Sequence, residues 1–387
     1  MKKYNHWIDN VPSSVFDKIN KSIKEFNISP FYSLHQGKTT FMPLANPKNW
    51  TIDEFELLAH HHASPNGIPT LRKAIYDKLC QQFDEELCED NITITCGATH
   101  AVGTALRSII NPGDEVLILS PQWLFANGLV YAAGGIPLEV PVFFELSKDP
   151  NFDFITSLKS FLSPKTKAIY FNNPNNPTGT SLRRKGLQKL IEFAIMHDLW
   201  IVADNAYENY DFTREGFTDI AELEFARAKT FSIYTFSKKY AMPGYRIGYV
   251  LSPNEMAERI RKLTLYSIYS VSTSSQYGAY QALQTPDSVL REYHLLARQA
   301  RDIVVEQLQI PATKPEGGLY AFLDLSKWKG DTDDFIENCI RSGVSLAPGS
   351  AFGKNYSQYA RLCFTATDHS GLKIAIDRIN SVYLSKT

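Results

Sequence analysis

The chain has 387 residues, 44% of them apolar and 21% charged, with a formal net charge of -1. These proportions suit a globular protein large enough for two cores. They exclude bulk electrostatic attraction to nucleic acid, and no apolar run reaches the length of a membrane span. The opening stretch MKKYNHWIDNVPSS is basic at its start with no apolar segment behind it, so no signal peptide is expected. Five cysteines, Cys80, Cys88, Cys96, Cys339 and Cys363, are an odd number without a Cys-x-x-Cys pair. Reduced thiols and a cytoplasmic setting are expected.

In chain order, short apolar runs predict strands at 92–96, 115–119, 168–171, 200–203, 231–236 and 247–251. Between them lie longer stretches such as 181–197, where leucine and isoleucine recur at helical spacing. The stretch SPNE at 252–255 predicts a helix start, with Ser252 as cap, Pro253 in the first turn and Glu255 closing a capping box. A long helical pattern follows from 286 to 307, then a Gly317-Gly318 turn and strand-like runs at 319–325, 344–347 and 360–364. Strands alternating with helices predict an α/β fold with a mostly parallel sheet. The expected division is an N-terminal arm with part of a small domain (1–42), a large domain (43–285) and a smaller C-terminal α+β domain (286–387).

Polar residues collect just after the strand ends: GAT at 97–99, SPQW at 120–123, NNP at 172–174, DNAY at 204–207 and SK at 237–238. In open α/β sheets the ligand crevice lies on that rim. Gly97, Ala98 and Thr99 would open a helix with free N–H groups suited to a phosphate, and Thr235 and Arg246 can add a hydroxyl and a guanidinium. Asp204 ends an apolar strand, where a carboxylate is costly without a cationic partner. Tyr207 offers a phenol close by. Lys238 and Lys239 could each act as a point charge or as an amine that reacts with a carbonyl.

A phosphate, a ring cation and an aldehyde together describe pyridoxal 5'-phosphate. The motifs LHQG, TCGATHAV, SPQW, NNPNNPTG, ADNAY, SKKYAMPGYRIG, GVSLAPGSAFG and ARLCF, in this order, resemble those of class I/II aminotransferases, the fold-type I group of pyridoxal-phosphate enzymes. That resemblance covers nearly the whole chain. It implies a large domain with a mostly parallel seven-stranded sheet flanked by helices, and a smaller α+β domain. It also implies Lys238 as the Schiff-base lysine and general base, because the family's lysine follows Ser and precedes the phosphate-binding arginine by eight residues. Lys239 is then expected on the surface or in a loop.

By the same resemblance Asp204 meets the ring nitrogen, Asn176 and Tyr207 meet the 3'-oxygen, and Trp123 stacks on the ring. Thr99, Thr235 and Arg246, with the backbone at Gly97 and Ala98, surround the phosphate, and Ser237 also belongs to the cofactor site. Arg361 clamps the substrate carboxylate, with Gly37 near it. No metal is expected, and a site made by His60, His61 and His62 is disfavoured. The implied reaction is ping-pong transfer of an amino group from an L-amino acid to a 2-oxo acid through a Lys238 aldimine. The alternative is another enzyme of this scaffold: a β-eliminating lyase, a cyclase or an oxidase.

A homodimer with shared active sites is implied, with residues 272–274 in the shared wall. Two positions depart from the family pattern. His62 stands where relatives commonly carry a tyrosine, and Lys38 follows Gly37 where many have a Pro and Asp soon after. Phe31, Tyr32, Phe41, Trp123 and Phe125 near the mapped site, with no second arginine for a dicarboxylate, favour a neutral, aromatic or long side chain on the substrate.

Overall fold

The apolar runs are buried on both faces of one sheet. The computed structural model describes residues 9–12, 15–44, 62–83 and 87–386. After a two-residue strand β1 (Tyr32–Ser33) come β2 (Ile92–Thr95), β3 (Glu115–Ser120), β4 (Ile136–Pro141), β5 (Thr166–Asn172), β6 (Trp200–Asp204), β7 (Thr230–Thr235) and β8 (Gly248–Leu251). Strands β2 to β8 form a seven-stranded sheet in the order β2-β8-β7-β6-β5-β3-β4. Strands β3 to β7 run parallel, and β8 is antiparallel to both of its neighbours. Leu117, Leu119, Ile169 and Ile201 pack on one face with the Arg184–Met196 helix, while Val116, Ile118, Val202 and Ile233 pack on the other with the Gly97–Ile109 helix. Full burial on both faces explains why these strands read as continuous apolar runs.

Two local expectations are corrected. Strand β4, which no apolar run announced, is one edge of the sheet, and its sequence IPLEVP carries two prolines and a glutamate. Proline cannot donate to a ladder, so it is tolerated at an edge and masks the strand pattern. Ser252 does not cap a helix. Its hydroxyl donates to the Asn91 carbonyl at 3.1 Å, and a short 3-10 turn over Asn254–Met256 precedes the Ala257–Ile268 helix. The Asn91 side chain, bonded to the Ser252 carbonyl and to Asn254, ties this turn to the start of β2 instead.

After the 21-residue helix Asp287–Gln307, strands β9 (Tyr320–Asp324), β10 (Val344–Ser345), β11 (Ala347–Pro348) and β12 (Tyr359–Cys363) follow. Strands β11, β12 and β9 make an antiparallel sheet, and β10 pairs in parallel with β1. The core around this sheet takes in Leu34 from the N-terminal region, and also Ala206, Tyr207 and Tyr210 from the loop after β6. That shared packing brings the end of the large sheet against β9 and β12.

Candidate active site

Register places the polar strand ends side by side. Asn172 pairs with Asp204 between β5 and β6, and Gly248 pairs with both Thr235 and Thr95. The Gly97–Ile109 helix starts directly after β2, and no side chain caps its N-terminus. Its first N–H groups are therefore donors without intrahelical partners. Two glycines allow this close approach. A Cβ on Gly248 would lie 2.4 Å from the Tyr234 carbonyl and 3.3 Å from the Ala98 nitrogen. Gly97 has φ +74°, and a Cβ there would stand 2.7 Å from the Arg246 guanidinium. Arg246, itself left-handed at φ 50°, is thus laid against the helix start, with Nη1 on the Pro243 carbonyl at 3.0 Å.

These elements enclose a cavity of about 230 Å³. On one side Ala98, Thr99, Thr235, Ser237 and Arg246 line it. Thr235 caps the single turn Phe236–Lys239, its hydroxyl accepting from the Ser237 N–H at 3.2 Å and donating to the Ser237 hydroxyl at 3.0 Å. Uncapped N–H groups, hydroxyls and a guanidinium make a site for a dianion.

Asp204 and Lys238 stand further in, both lining the cavity. The Asp204 carboxylate accepts from the Ala206 N–H at 3.1 Å and the Tyr170 hydroxyl at 3.4 Å. Among the described residues no cation reaches it within ion-pair distance. Burial therefore pushes its pKa up to about 6, against the pull of those two donors and of Lys238. Lys238 Nζ donates to the Gly37 carbonyl at 2.5 Å. Burial lowers its pKa to about 8, helped by the Arg361 and Arg246 charges and opposed by Cys363 and Asp204. An amine near neutrality beside a carboxylate in need of a cation can serve as nucleophile and base.

Arg361, only 2% exposed, closes the opposite side. Nη1 donates to Asn176 Oδ1 at 2.8 Å and Nη2 to the His35 carbonyl at 2.7 Å, while the buried Nε has no partner among the described residues. The guanidinium lies over the Tyr320 ring at 4.3 Å and the Phe352 ring at 4.7 Å. Asn176 Nδ2 donates in turn to the Tyr207 hydroxyl at 3.3 Å. Burial holds the Tyr207 phenol well above its ordinary pKa, so it stays protonated. Such a guanidinium can hold a planar carboxylate.

The structure thus brings Gly37, Ala98, Thr99, Trp123, Asn176, Asp204, Tyr207, Thr235, Ser237, Lys238, Arg246 and Arg361 to one cavity, with Gly97 packed behind Arg246. It also places there residues that sequence reasoning missed. Tyr320 bonds the Tyr207 hydroxyl at 2.8 Å, and Phe16 and Leu124 also line the cavity. The only signal for Tyr320 was a hydroxyl in the apolar part of a strand.

Other expectations are corrected. Phe31, Tyr32 and Phe41 pack against the C-terminal core, and Phe41 stacks on Tyr293 at 4.6 Å. Phe125 does line the cavity, edge-on to Trp123 at 5.3 Å. Lys239 is no surface residue: its side chain is 12% exposed, and Nζ meets Glu208 at 3.0 Å. Lys38 is exposed, and its carbonyl accepts from Thr365 at 2.9 Å. His62 is exposed against Tyr269, while His60 and His61 lie outside the described residues.

Residues 58–379 match the family described as aminotransferase class I and II. The chain belongs to the class I and II aminotransferases. It is 36% identical over 335 residues to a probable aspartate/prephenate aminotransferase of Aquifex aeolicus, covering 83% of this chain and 78% of that one. It is 32% identical over 361 residues to an aspartate aminotransferase of Pyrococcus abyssi, covering 92% of each. The structure of an aromatic aminotransferase from Pyrococcus horikoshii superposes with a TM-score of 0.83 at 29% identity, covering 95% of this chain and 99% of that one. Aminotransferases of this family use pyridoxal 5'-phosphate, and the comparisons favour transamination over the lyase, cyclase and oxidase alternatives. The donor set fits that cofactor: an anion cradle, a buried carboxylate that meets no cation among the described residues and a half-buried amine share one cavity.

Proposed function

We propose that this aminotransferase accepts L-amino acids with neutral, aromatic or long side chains, and that the cavity residues act as follows. Gly97, Ala98, Thr99, Thr235, Ser237 and Arg246 would hold the cofactor phosphate, Asp204 its ring nitrogen, and Asn176 and Tyr207 its 3'-oxygen, with Trp123 against the ring. Bound pyridoxal 5'-phosphate supplies an electron sink for the carbanion at the substrate Cα and carries the amino group between the two half-reactions. Arg361 holds the α-carboxylate through its remaining donors, near Gly37, and so orients the Cα–H bond. Lys238 Nζ takes the Cα proton of the donor as general base, and in the second half-reaction delivers one to the Cα of the acceptor. Its pKa of about 8 suits both roles near neutral pH.

One observation carries the assignment: half-buried Lys238 and Asp204, which has no ion pair among the described residues, line the same cavity as Arg361. The side-chain preference rests on the remaining walls, Phe16, Leu124, Phe125 and Tyr320, among which no further cation stands for a second carboxylate. The same reading takes the protein as a cytoplasmic homodimer. Its support is the free state of Cys80, Cys88, Cys96, Cys339 and Cys363, and the exposed Tyr266 and Tyr269, at 88% and 52%. The test is the half-reaction of the cofactor-loaded enzyme with single amino acids, followed by absorbance and by release of 2-oxo acid. Phenylalanine, tyrosine and leucine are expected to exceed aspartate by about tenfold or more in kcat/KM. Preference for aspartate would overturn the specificity reading.

A further inference from the structure

Next to each of four residues that line the cavity stands one that does not. Asp204, Tyr207, Thr235 and Lys238 line it, whereas Asn205, Glu208, Tyr234 and Lys239 do not. This second set forms its own polar layer. The Tyr234 hydroxyl donates to Asp219 Oδ2 at 2.7 Å, and Asn205 Nδ2 donates to Asp219 Oδ1 at 3.4 Å. Lys239 Nζ meets Glu208 Oε1 at 3.0 Å, with the two side chains only 12% and 15% exposed. The Tyr210 hydroxyl, from the same loop as Glu208, donates to the Lys238 carbonyl at 3.1 Å.

Lys238 sits on a helix of only four residues, Phe236–Lys239. A single turn has almost no hydrogen-bond ladder of its own, so its orientation depends on tertiary ties. An ion pair this far out of water is weakly screened, and removing one partner leaves the other charge uncompensated. We propose that the Glu208–Lys239 ion pair, together with the Tyr210 hydroxyl on the Lys238 carbonyl, is a positioning device that locks the loop carrying Tyr207 to the turn carrying Lys238. Lys239 and Glu208 are positioning residues that act through their chain neighbours. The inference rests on the roles assigned above to Lys238 and Tyr207.

The test uses the cofactor-loaded enzyme and its Glu208→Gln, Lys239→Met and Lys239→Arg variants, each checked for folding by thermal melting. Single-turnover rates with phenylalanine are expected to fall about 10- to 100-fold in Glu208→Gln and Lys239→Met, because small displacements of reacting groups are expensive. KM should stay within about threefold, since the contacts to bound substrate remain. The pH midpoint of the visible absorbance should move, and Lys239→Arg should recover most of the rate by keeping the charge. Rates and midpoints within about twofold of the parent in folded Glu208→Gln and Lys239→Met overturn the proposal.

If either variant does not fold, Glu208→Asp keeps both charges and draws the carboxylate back by one methylene. A lowered rate then supports the device, and an unchanged one overturns it. Lys238→Ala separates the two readings. If it abolishes the absorbance change while the Glu208 and Lys239 variants behave like the parent, the positioning device alone fails. If it leaves the change intact, the assignment of Lys238 fails.

Discussion

The guanidinium of Arg361 donates to Oδ1 of Asn176 at 2.8 Å, joining the anchor on β12 to the loop after β5. The same Asn176 reaches the Tyr207 hydroxyl through Nδ2, so the amide is orientated by a charged donor on one side and a phenol on the other. In the proposed roles, a substrate carboxylate at Arg361 would thereby be registered against the residues assigned to the cofactor.

Arg361→Lys is expected to lower kcat/KM for amino acids by about 100-fold, because an ammonium cannot reproduce the planar fork. The loss should appear largely in KM. Steady-state kinetics of a folded variant would check this, and an effect under about threefold would remove Arg361 from its role.

Lys238→Ala should lose activity by about 10⁴-fold, at the upper end of what general acid–base catalysis supplies. Added methylamine or ethylamine should restore part of the rate, since a small amine can occupy the space left by Nζ. Failure of both the loss and the rescue would point away from Lys238 as the proton carrier.

Asp204 makes a prediction about stability. Its pKa rises from 3.8 to about 6 on folding, chiefly by burial. The folded state therefore binds the proton more tightly than the unfolded chain does. The contribution is favourable below about pH 4 and is lost as pH climbs through about 6. At pH 8 the buried carboxylate costs the cofactor-free protein about 3 kcal/mol. Cofactor-free Asp204→Asn should thus melt above the parent at pH 8 and much closer to it at pH 4. With cofactor bound the order should reverse, because the parent then gains a cation beside its carboxylate. The half-reaction of the variant should slow by about 100-fold or more.

Gly37 and Tyr320 form a steric pair. A Cβ on Gly37 would lie 2.1 Å from the Tyr320 hydroxyl oxygen. Gly37→Ala should therefore displace Tyr320, and with it the 2.8 Å bond to Tyr207, lowering kcat by about tenfold or more. Tyr320→Phe removes the colliding oxygen, so the double variant should be better than additivity from the two single losses. Strictly additive losses in kcat/KM would show that the contact does not limit catalysis.

Much of the large sheet was legible because strands buried on both faces must be apolar along their whole length. The runs around Ile169 and Val202 announce themselves for that reason. Edge strand β4 did not, since Pro137 and Pro141 are compatible only with an edge and look like loop residues. The capping pattern at Ser252 misled because its hydroxyl found a better partner in the Asn91 carbonyl across the chain.

By itself the sequence determined the chemistry on offer: a lysine after β7, a carboxylate at the end of β6, a glycine at the helix start and an arginine eight residues beyond Lys238. These are local requirements of residue type, spacing and strand-end position, and they survive in one dimension. The tertiary structure alone decided that Tyr320 faces Tyr207 and Arg361, that Phe41 turns away to Tyr293, and that Lys239 is half-buried against Glu208. Each of those depends on which side of a strand or turn meets a segment distant in the chain. Residue type does not set that choice. The packing of segments far apart in the chain does.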